Sequence, residues 1–123
     1  MSQVEQWKRY PSLRVWMLLT LILMLHAHAT SELTRAKHNA KRIKSLIAEL
    51  KKQMEINQEI EVAVVPRNEL IVSVQPIRER PGVFEMSFEE TFLNTLDDAD
   101  LRAVIAHELG HVWIFTHHPY LQT

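Results

Sequence analysis

The chain of 123 residues contains no cysteine and only two glycines, and each shortage narrows what the protein can be. Without cysteine no disulfide can reinforce the fold, so stability has to come from an apolar core and from any bound metal. Phosphate-binding loops need several glycines close together, so we do not expect a nucleotide to bind through such a loop. Clusters of basic residues interleaved with aromatics are also missing, and no nucleic-acid partner is expected.

The first 29 residues have the order of features that is typical of a secretory signal peptide. Lys8, Arg9 and Arg14 precede an apolar run from Val15 to Leu25, and Ala27-His28-Ala29 follows it. The eleven residues of the run are fewer than the roughly 20 that cross a bilayer. We therefore predict cleavage after Ala29 and an exported domain of residues 30–123, periplasmic or extracellular. An uncleaved anchor is the alternative.

Residues 31–54 combine positive charge with one narrow apolar stripe. Seven lysines and arginines stand there against two glutamates, whereas residues 55–123 carry four basic and twelve acidic side chains. Apolar residues at alternating intervals of three and four predict a helix with one buried side; they are Leu33, Ala36, Ala40, Ile43, Ile47, Leu50 and Met54. We expect this helix to pack within the domain. A short coiled coil, or association of its basic surface with a membrane surface or an acidic partner, stays open.

Two short segments rich in valine and isoleucine predict strands. They are Ile60–Val65 and Leu70–Val74, and the turn residues Pro66-Arg67-Asn68-Glu69 lie between them. Such a turn between two apolar runs predicts an antiparallel pair.

A third strand is predicted at Val83–Ser87. Its alternation places Phe84 and Met86 on one face of the sheet. Ser87 and Glu90 have the spacing of a capping box, so a brief helix is expected from Phe88 to Leu96.

The segment His107-Glu108-Leu109-Gly110-His111 is the one place where residue types and spacing together imply a specific chemistry. Side chains four residues apart lie about 5–6 Å apart on one face of a helix, which suits two imidazoles that bind one zinc ion. The glutamate between them lies beside the metal, where it can take a proton from water and pass it to a leaving amine. His107 and His111 are therefore candidate zinc ligands, and Glu108 is the candidate general base.

The residues around the motif predict that it lies on a helix. Asp97 is a candidate N-cap with Asp100 in the first turn, and helix formers continue from there into the motif. Small residues form one stripe and large apolar residues another: Ala103, Ala106 and Gly110, and Leu101, Ile105, Val112 and Phe115. Because glycine costs about 1 kcal/mol in a helix, we expect another backbone segment to pack against Gly110. The alternative to a zinc site is a buried helix whose histidines only form hydrogen bonds.

Residues 100–112, Asp-Leu-Arg-Ala-Val-Ile-Ala-His-Glu-Leu-Gly-His-Val, resemble the active-site helix of zincin metallopeptidases. The likeness is to the gluzincin branch, which includes HtpX-like proteases. It implies a metalloendopeptidase that cleaves peptide or protein substrates, with Zn2+ on His107 and His111 and with Glu108 as general base; with the signal peptide, we expect this peptidase to be exported. It also implies an α+β fold, the front half of a zincin domain: a long N-terminal helix, a small antiparallel or mixed sheet, a short helix and the motif helix. In such domains an edge strand aligns the substrate, and Val83–Ser87 is expected to be that strand.

The third zinc ligand is not evident in the sequence. The gluzincin branch uses a glutamate on a later helix, but the twelve residues after His111 contain no acid, and a catalytic zinc takes three protein ligands. His117 has the metzincin spacing, although Ile114 stands where metzincins have a glycine that permits a turn. His118, a partner protein, or a glutamate beyond Thr123 are the other sources, and the last would mean that the domain of residues 30–123 is incomplete at its C-terminus. Without any of them we expect a non-catalytic, exported, partner-binding module derived from such a peptidase.

Overall fold

A computed structural model describes residues 11–121, and side chains from residue 15 onward. The elements, in sequence order, are helix α1 (Pro11–Gln53), strands β1 (Glu59–Val65), β2 (Val72–Pro76) and β3 (Val83–Glu89), helices α2 (Glu90–Leu93) and α3 (Asp98–His117), and a 3-10 turn at Pro119–Leu121. This order confirms the predicted α+β class, with its long first helix, small sheet, short helix and motif helix. Lys8 and Arg9, on which the signal-peptide prediction partly rests, lie outside the described residues.

The protein divides into two compact units, residues 1–39 and 40–123. In the first unit, every described side chain from Val15 to His38 is exposed. By length and composition, the helix from Val15 onward is apolar enough to cross a membrane, a property that signal sequences share. Cleavage after Ala29 stays a prediction.

The second unit begins with the last turns of α1, which bury one side of the helix. Ile43, Ile47 and Leu50 are 0–6% exposed. Packing within the domain is therefore confirmed for this part of the predicted stripe, whereas Leu33 in the first unit is exposed. Among the described side chains, the apolar residues of α1 are buried only in the part of the helix that packs in the core with residues of the sheet and the motif helix.

The sheet is mixed, and its strand order is β1-β3-β2. Strand β1 runs parallel to β3, with Glu59 opposite Val83, and β2 runs antiparallel to β3, with Val72 opposite Phe88. The mixed sheet was one of the two predicted arrangements, but the predicted pairing of Ile60–Val65 with Leu70–Val74 is wrong. The reason is burial: β3 is the most buried strand, and the centre of a sheet is the position covered most completely.

This strand order also corrects the expected edge strand. Both edges of β3 are hydrogen-bonded to neighbours, so Val83–Ser87 cannot accept a substrate as an additional strand. Among the described residues the free edges belong to β1 and β2, and β2 also contacts α3.

Helix α2 starts later than the capping-box pattern predicted. Ser87 and Phe88 belong to β3, where Phe88 is fully buried. The N-cap is Glu89, whose carboxylate accepts a hydrogen bond from the Phe92 N–H at 2.7 Å. Burial of Phe88 in the sheet outweighs the local preference of Ser87 for a cap.

Helix α3 begins where the sequence predicted. Asp97 is its N-cap, and the carboxylate accepts a hydrogen bond from the Asp100 N–H at 2.8 Å. One side of α3 completes the core that α1 and β3 begin, through Leu101, Ile105, Leu109 and Val112.

Two arginines tie α3 to the part of α1 that lies in the second unit. Arg102 donates two hydrogen bonds to the Glu49 carboxylate, at 3.0 and 2.8 Å, which lowers the pKa of Glu49. Arg42 pairs with Asp98 and donates to the Leu96 carbonyl at 2.8 Å. The first turns of the motif helix are thereby fixed against α1.

Candidate metal centre

The two histidines of the motif lie side by side on the exposed face of α3. Their Nε2 atoms are 3.2 Å apart, and the rings meet edge to face with centroids 4.8 Å apart. Two imidazole nitrogens bound to one tetrahedral zinc at the usual bond length are about 3.3 Å apart. The distance between the two nitrogens therefore matches that of two imidazoles on one zinc ion.

Glu108 lies between the histidines and is mostly buried. Its residue surface is 9% exposed, and a carboxylate oxygen lies within 4.8 Å of the ligand atoms of His107 and His111. Among the described residues the carboxylate has no hydrogen-bond partner, and its oxygens are not sealed from solvent. The packing around it therefore restricts where the group lies while leaving its lone pairs available to a proton.

An apolar groove of about 410 Å³ opens beside these residues. His107 and Glu108 contribute to its lining, and the other lining residues are apolar: Leu70, Ile71, Val72, Phe92, Ala103 and Val104. They come from the β1–β2 connection, β2, α2 and α3. The site therefore places two imidazoles and a carboxylate beside an apolar groove whose volume lies in the range of ligand-binding pockets.

The turn before β2 forms one wall of the groove in a strained conformation. Ile71 has φ +64°, in the left-handed region that a β-branched residue rarely adopts. Asn68 holds the turn, because its side-chain oxygen accepts from the Leu70 N–H at 3.1 Å and its amide donates to the Ser73 hydroxyl at 3.2 Å. Strain that the surroundings maintain is often found at binding sites. The sequence analysis predicted a turn at residues 66–69, in which Asn68 is a typical turn residue, but did not place this turn at the site.

His117 and His118 lie apart from the pair. Helix α3 continues through Ile114, so the turn that would return His117 to the metal does not occur. The His117 ring stacks on Trp113 with centroids 4.4 Å apart, and His118 has its Nδ1 2.7 Å from the Tyr120 hydroxyl. Within residues 11–121, neither joins the group of His107, Glu108 and His111.

The expectation that a backbone segment packs against Gly110 is wrong. Apart from the adjacent backbone of α3 itself, a Cβ placed there would meet no described atom within 4 Å. Of the small-residue stripe, Ala103 is exposed and lines the groove. Ala106, by contrast, packs against the core, and the large apolar residues hold the helix there.

Comparison with known proteins agrees with this geometry. Residues 77–122 match the model of peptidase family M48, a span that contains β3, α2 and α3 but less than half of the protein. No curated protein and no solved structure matches it. Over the part that carries His107, Glu108 and His111, the protein is thus similar to the zincin-type metallopeptidases of family M48.

Proposed function

We propose that the protein is an exported, zinc-dependent endopeptidase domain of the HtpX-like branch, and that it acts in the periplasm or outside the cell. The observation that carries the proposal is the pair of ring nitrogens 3.2 Å apart beside Glu108, within the residues that match a peptidase family. His107 and His111 are the proposed zinc ligands.

Glu108 is the proposed general base. His107 and His111 would hold the zinc ion, which would supply a Lewis acid for the scissile carbonyl and for water. Glu108 takes the proton from the attacking water and passes it to the leaving amine. Its position one residue after one ligand and three before the other keeps the carboxylate next to both imidazoles.

The substrate in this proposal is a peptide in extended conformation. The free edge of β2 offers backbone hydrogen bonds to an added strand, and β2 contacts the motif helix. The groove formed by Leu70, Ile71 and Phe92 accepts an apolar residue of that peptide next to the scissile bond. Backbone pairing gives affinity for many sequences, and the groove adds a preference for apolar residues.

The variant Glu108→Gln tests the proposal because it keeps the shape of the side chain and removes the base. Zinc uptake and helix content should remain, while hydrolysis of an unfolded protein substrate falls by about 10²–10⁴-fold. Glu90→Gln is the matched control, since Glu90 is exposed and lies outside the groove. Equal hydrolysis by Glu108→Gln and wild type would refute the role of Glu108.

A second candidate function is partner binding without catalysis. It is favoured by one observation, that neither predicted third ligand among the described residues, His117 or His118, joins the histidine pair. A catalytic zinc needs three protein ligands. Wild-type protein that takes up no zinc, or binds zinc and hydrolyses no peptide, belongs to this class.

A further inference from the structure

The first unit presents an apolar surface that the proposed peptidase function does not use. From Val15 to Leu25 the side chains are apolar except Thr20, and the large apolar ones are 49–75% exposed. Because a helix turns about 100° per residue, eleven successive positions cover its whole circumference three times over. A protein partner covers one face of a helix, whereas a lipid bilayer surrounds it on every side.

Most polar side chains within and just after this run are hydrogen-bonded to backbone carbonyls of α1 itself. Thr20 donates to Met17 at 2.9 Å, Thr30 to Ala27 at 3.0 Å and Ser31 to His28 at 2.8 Å. The Nδ1 atom of His26 likewise lies 2.7 Å from the Ile22 carbonyl oxygen. In hydrocarbon an unsatisfied polar group is costly, and such bonds within the helix remove much of that cost.

Because these polar side chains are hydrogen-bonded within the helix, the segment that a bilayer can accommodate extends beyond Leu25. With neutral histidines, no charged side chain occurs from Val15 to Ser31, a stretch of 17 residues. At about 1.5 Å per residue it is about 25 Å long, close to the hydrocarbon thickness of the thinner biological membranes, about 27 Å. Arg14 precedes the stretch, and Glu32 follows it. The apolar run of eleven residues ends at Leu25, and the polar residues after it begin with His26.

The backbone at the predicted cleavage point is helical. Helix α1 is continuous through Ala29 and Thr30. Proteolysis concentrates at exposed loops, where the backbone is free to adapt to the protease. A continuous helix therefore disfavours cleavage at this bond.

We infer that residues 15–31 stay in the protein as an anchor that crosses a lipid bilayer. Residues 15–25 are apolar around the helix, most polar side chains of the segment are hydrogen-bonded within the helix, and charged residues flank the segment. The inference stands apart from the peptidase proposal, because it concerns only the first unit and is read from membrane retention.

Expression of the full-length protein with a C-terminal epitope tag, followed by alkaline carbonate extraction of the membranes, tests the anchor. We expect the uncleaved protein to resist extraction. A soluble product whose N-terminus is Thr30, or an uncleaved product that carbonate releases, would overturn the inference.

A pair of variants makes the test specific to the segment. Leu23→Arg places a charge in the middle of the apolar stretch, and we expect the membrane-to-soluble ratio to fall about 100-fold. Leu33→Arg is the matched control, because Leu33 is also an exposed leucine of α1 but lies after Glu32. Retention of Leu23→Arg equal to that of Leu33→Arg would contradict the anchor.

Discussion

Two parts of helix α1 differ in how their apolar residues are spaced, and the difference decides what surrounds each part. From Val15 to Leu25 apolar residues are nearly continuous, and all are exposed. From Ala40 onward they recur at intervals of four and three with lysines between them, and Ile43, Ile47 and Leu50 are buried. The spacing of apolar residues thus indicates which part of the helix is buried in the protein core, and the apolar content alone does not.

The largest expected change in the free energy of unfolding follows truncation of a buried isoleucine of α1. Ile43→Ala removes a fully buried side chain, and the free energy of unfolding should fall by about 2–5 kcal/mol. Ile22→Ala makes the same chemical change in the same helix at a residue that is 49% exposed, so the shift should stay within about 0.5 kcal/mol. Urea denaturation of the full-length protein in detergent micelles measures both. Similar losses for the two variants would mean that residues 15–25 pack on protein.

The two glycines differ in backbone conformation, so substitution by alanine should change the stability in opposite directions. Gly82 has φ +82° and open space around it, so Gly82→Ala should cost about 1–2 kcal/mol through backbone strain alone. Gly110 lies within α3, also with open space, so Gly110→Ala should raise the stability by about 0.5–1 kcal/mol. Thermal unfolding of the zinc-free variants is the measurement. A loss of stability in Gly110→Ala would show that a segment does pack there.

A smaller effect is expected at the start of the motif helix, where a carboxylate forms the cap. Asp97→Ala removes the acceptor of the Asp100 N–H and should cost about 1 kcal/mol. Asp97→Asn keeps an acceptor and should be nearly neutral. If chemical denaturation gives the same loss for both variants, the hydrogen bond is not what stabilises the start of the helix.

The smallest effect concerns pH. The hydrogen bond from the Phe92 N–H lowers the pKa of Glu89 below its ordinary value of 4.5. A lowered pKa in the folded state stabilises the protein above the unfolded pKa, and that contribution disappears as the pH falls through the folded pKa. Glu89→Gln should therefore lose less stability on acidification than wild type, and Glu79→Gln, at an exposed loop residue, is the control for removal of a carboxylate. Denaturation curves measured from neutral pH down to below the pKa of Glu89 give the dependence of stability on pH. If Glu89→Gln shows the same dependence as wild type, the hydrogen bond to the Phe92 N–H does not stabilise the helix.

Local features of the fold were predictable from the sequence. The cap at Asp97, the motif helix and its buried stripe follow from patterns within about 20 residues, and the structure confirms them. Strand order was not predictable, because the parallel pairing of β1 with β3 joins segments that are 24 residues apart in sequence. The predicted cap at Ser87 is wrong because burial of its neighbour Phe88 is a tertiary effect.

The candidate site also contains one part that the sequence predicted and one part that it did not. His107, Glu108 and His111 lie within five residues, so their grouping on one helix face was predictable. The groove was not, because its walls come from four elements and one wall depends on the unusual φ of Ile71. No sequence pattern requires an isoleucine to adopt that conformation.

Zinc X-ray absorption of the purified full-length protein tests the central claim most directly, with His107→Ala/His111→Ala as the reference. We expect one ion per wild-type molecule, with two imidazole nitrogens at about 2.0–2.1 Å, and loss of that signal in the double variant. A wild-type spectrum without imidazole scattering, or an identical spectrum from the double variant, would contradict the assignment of His107 and His111 as zinc ligands.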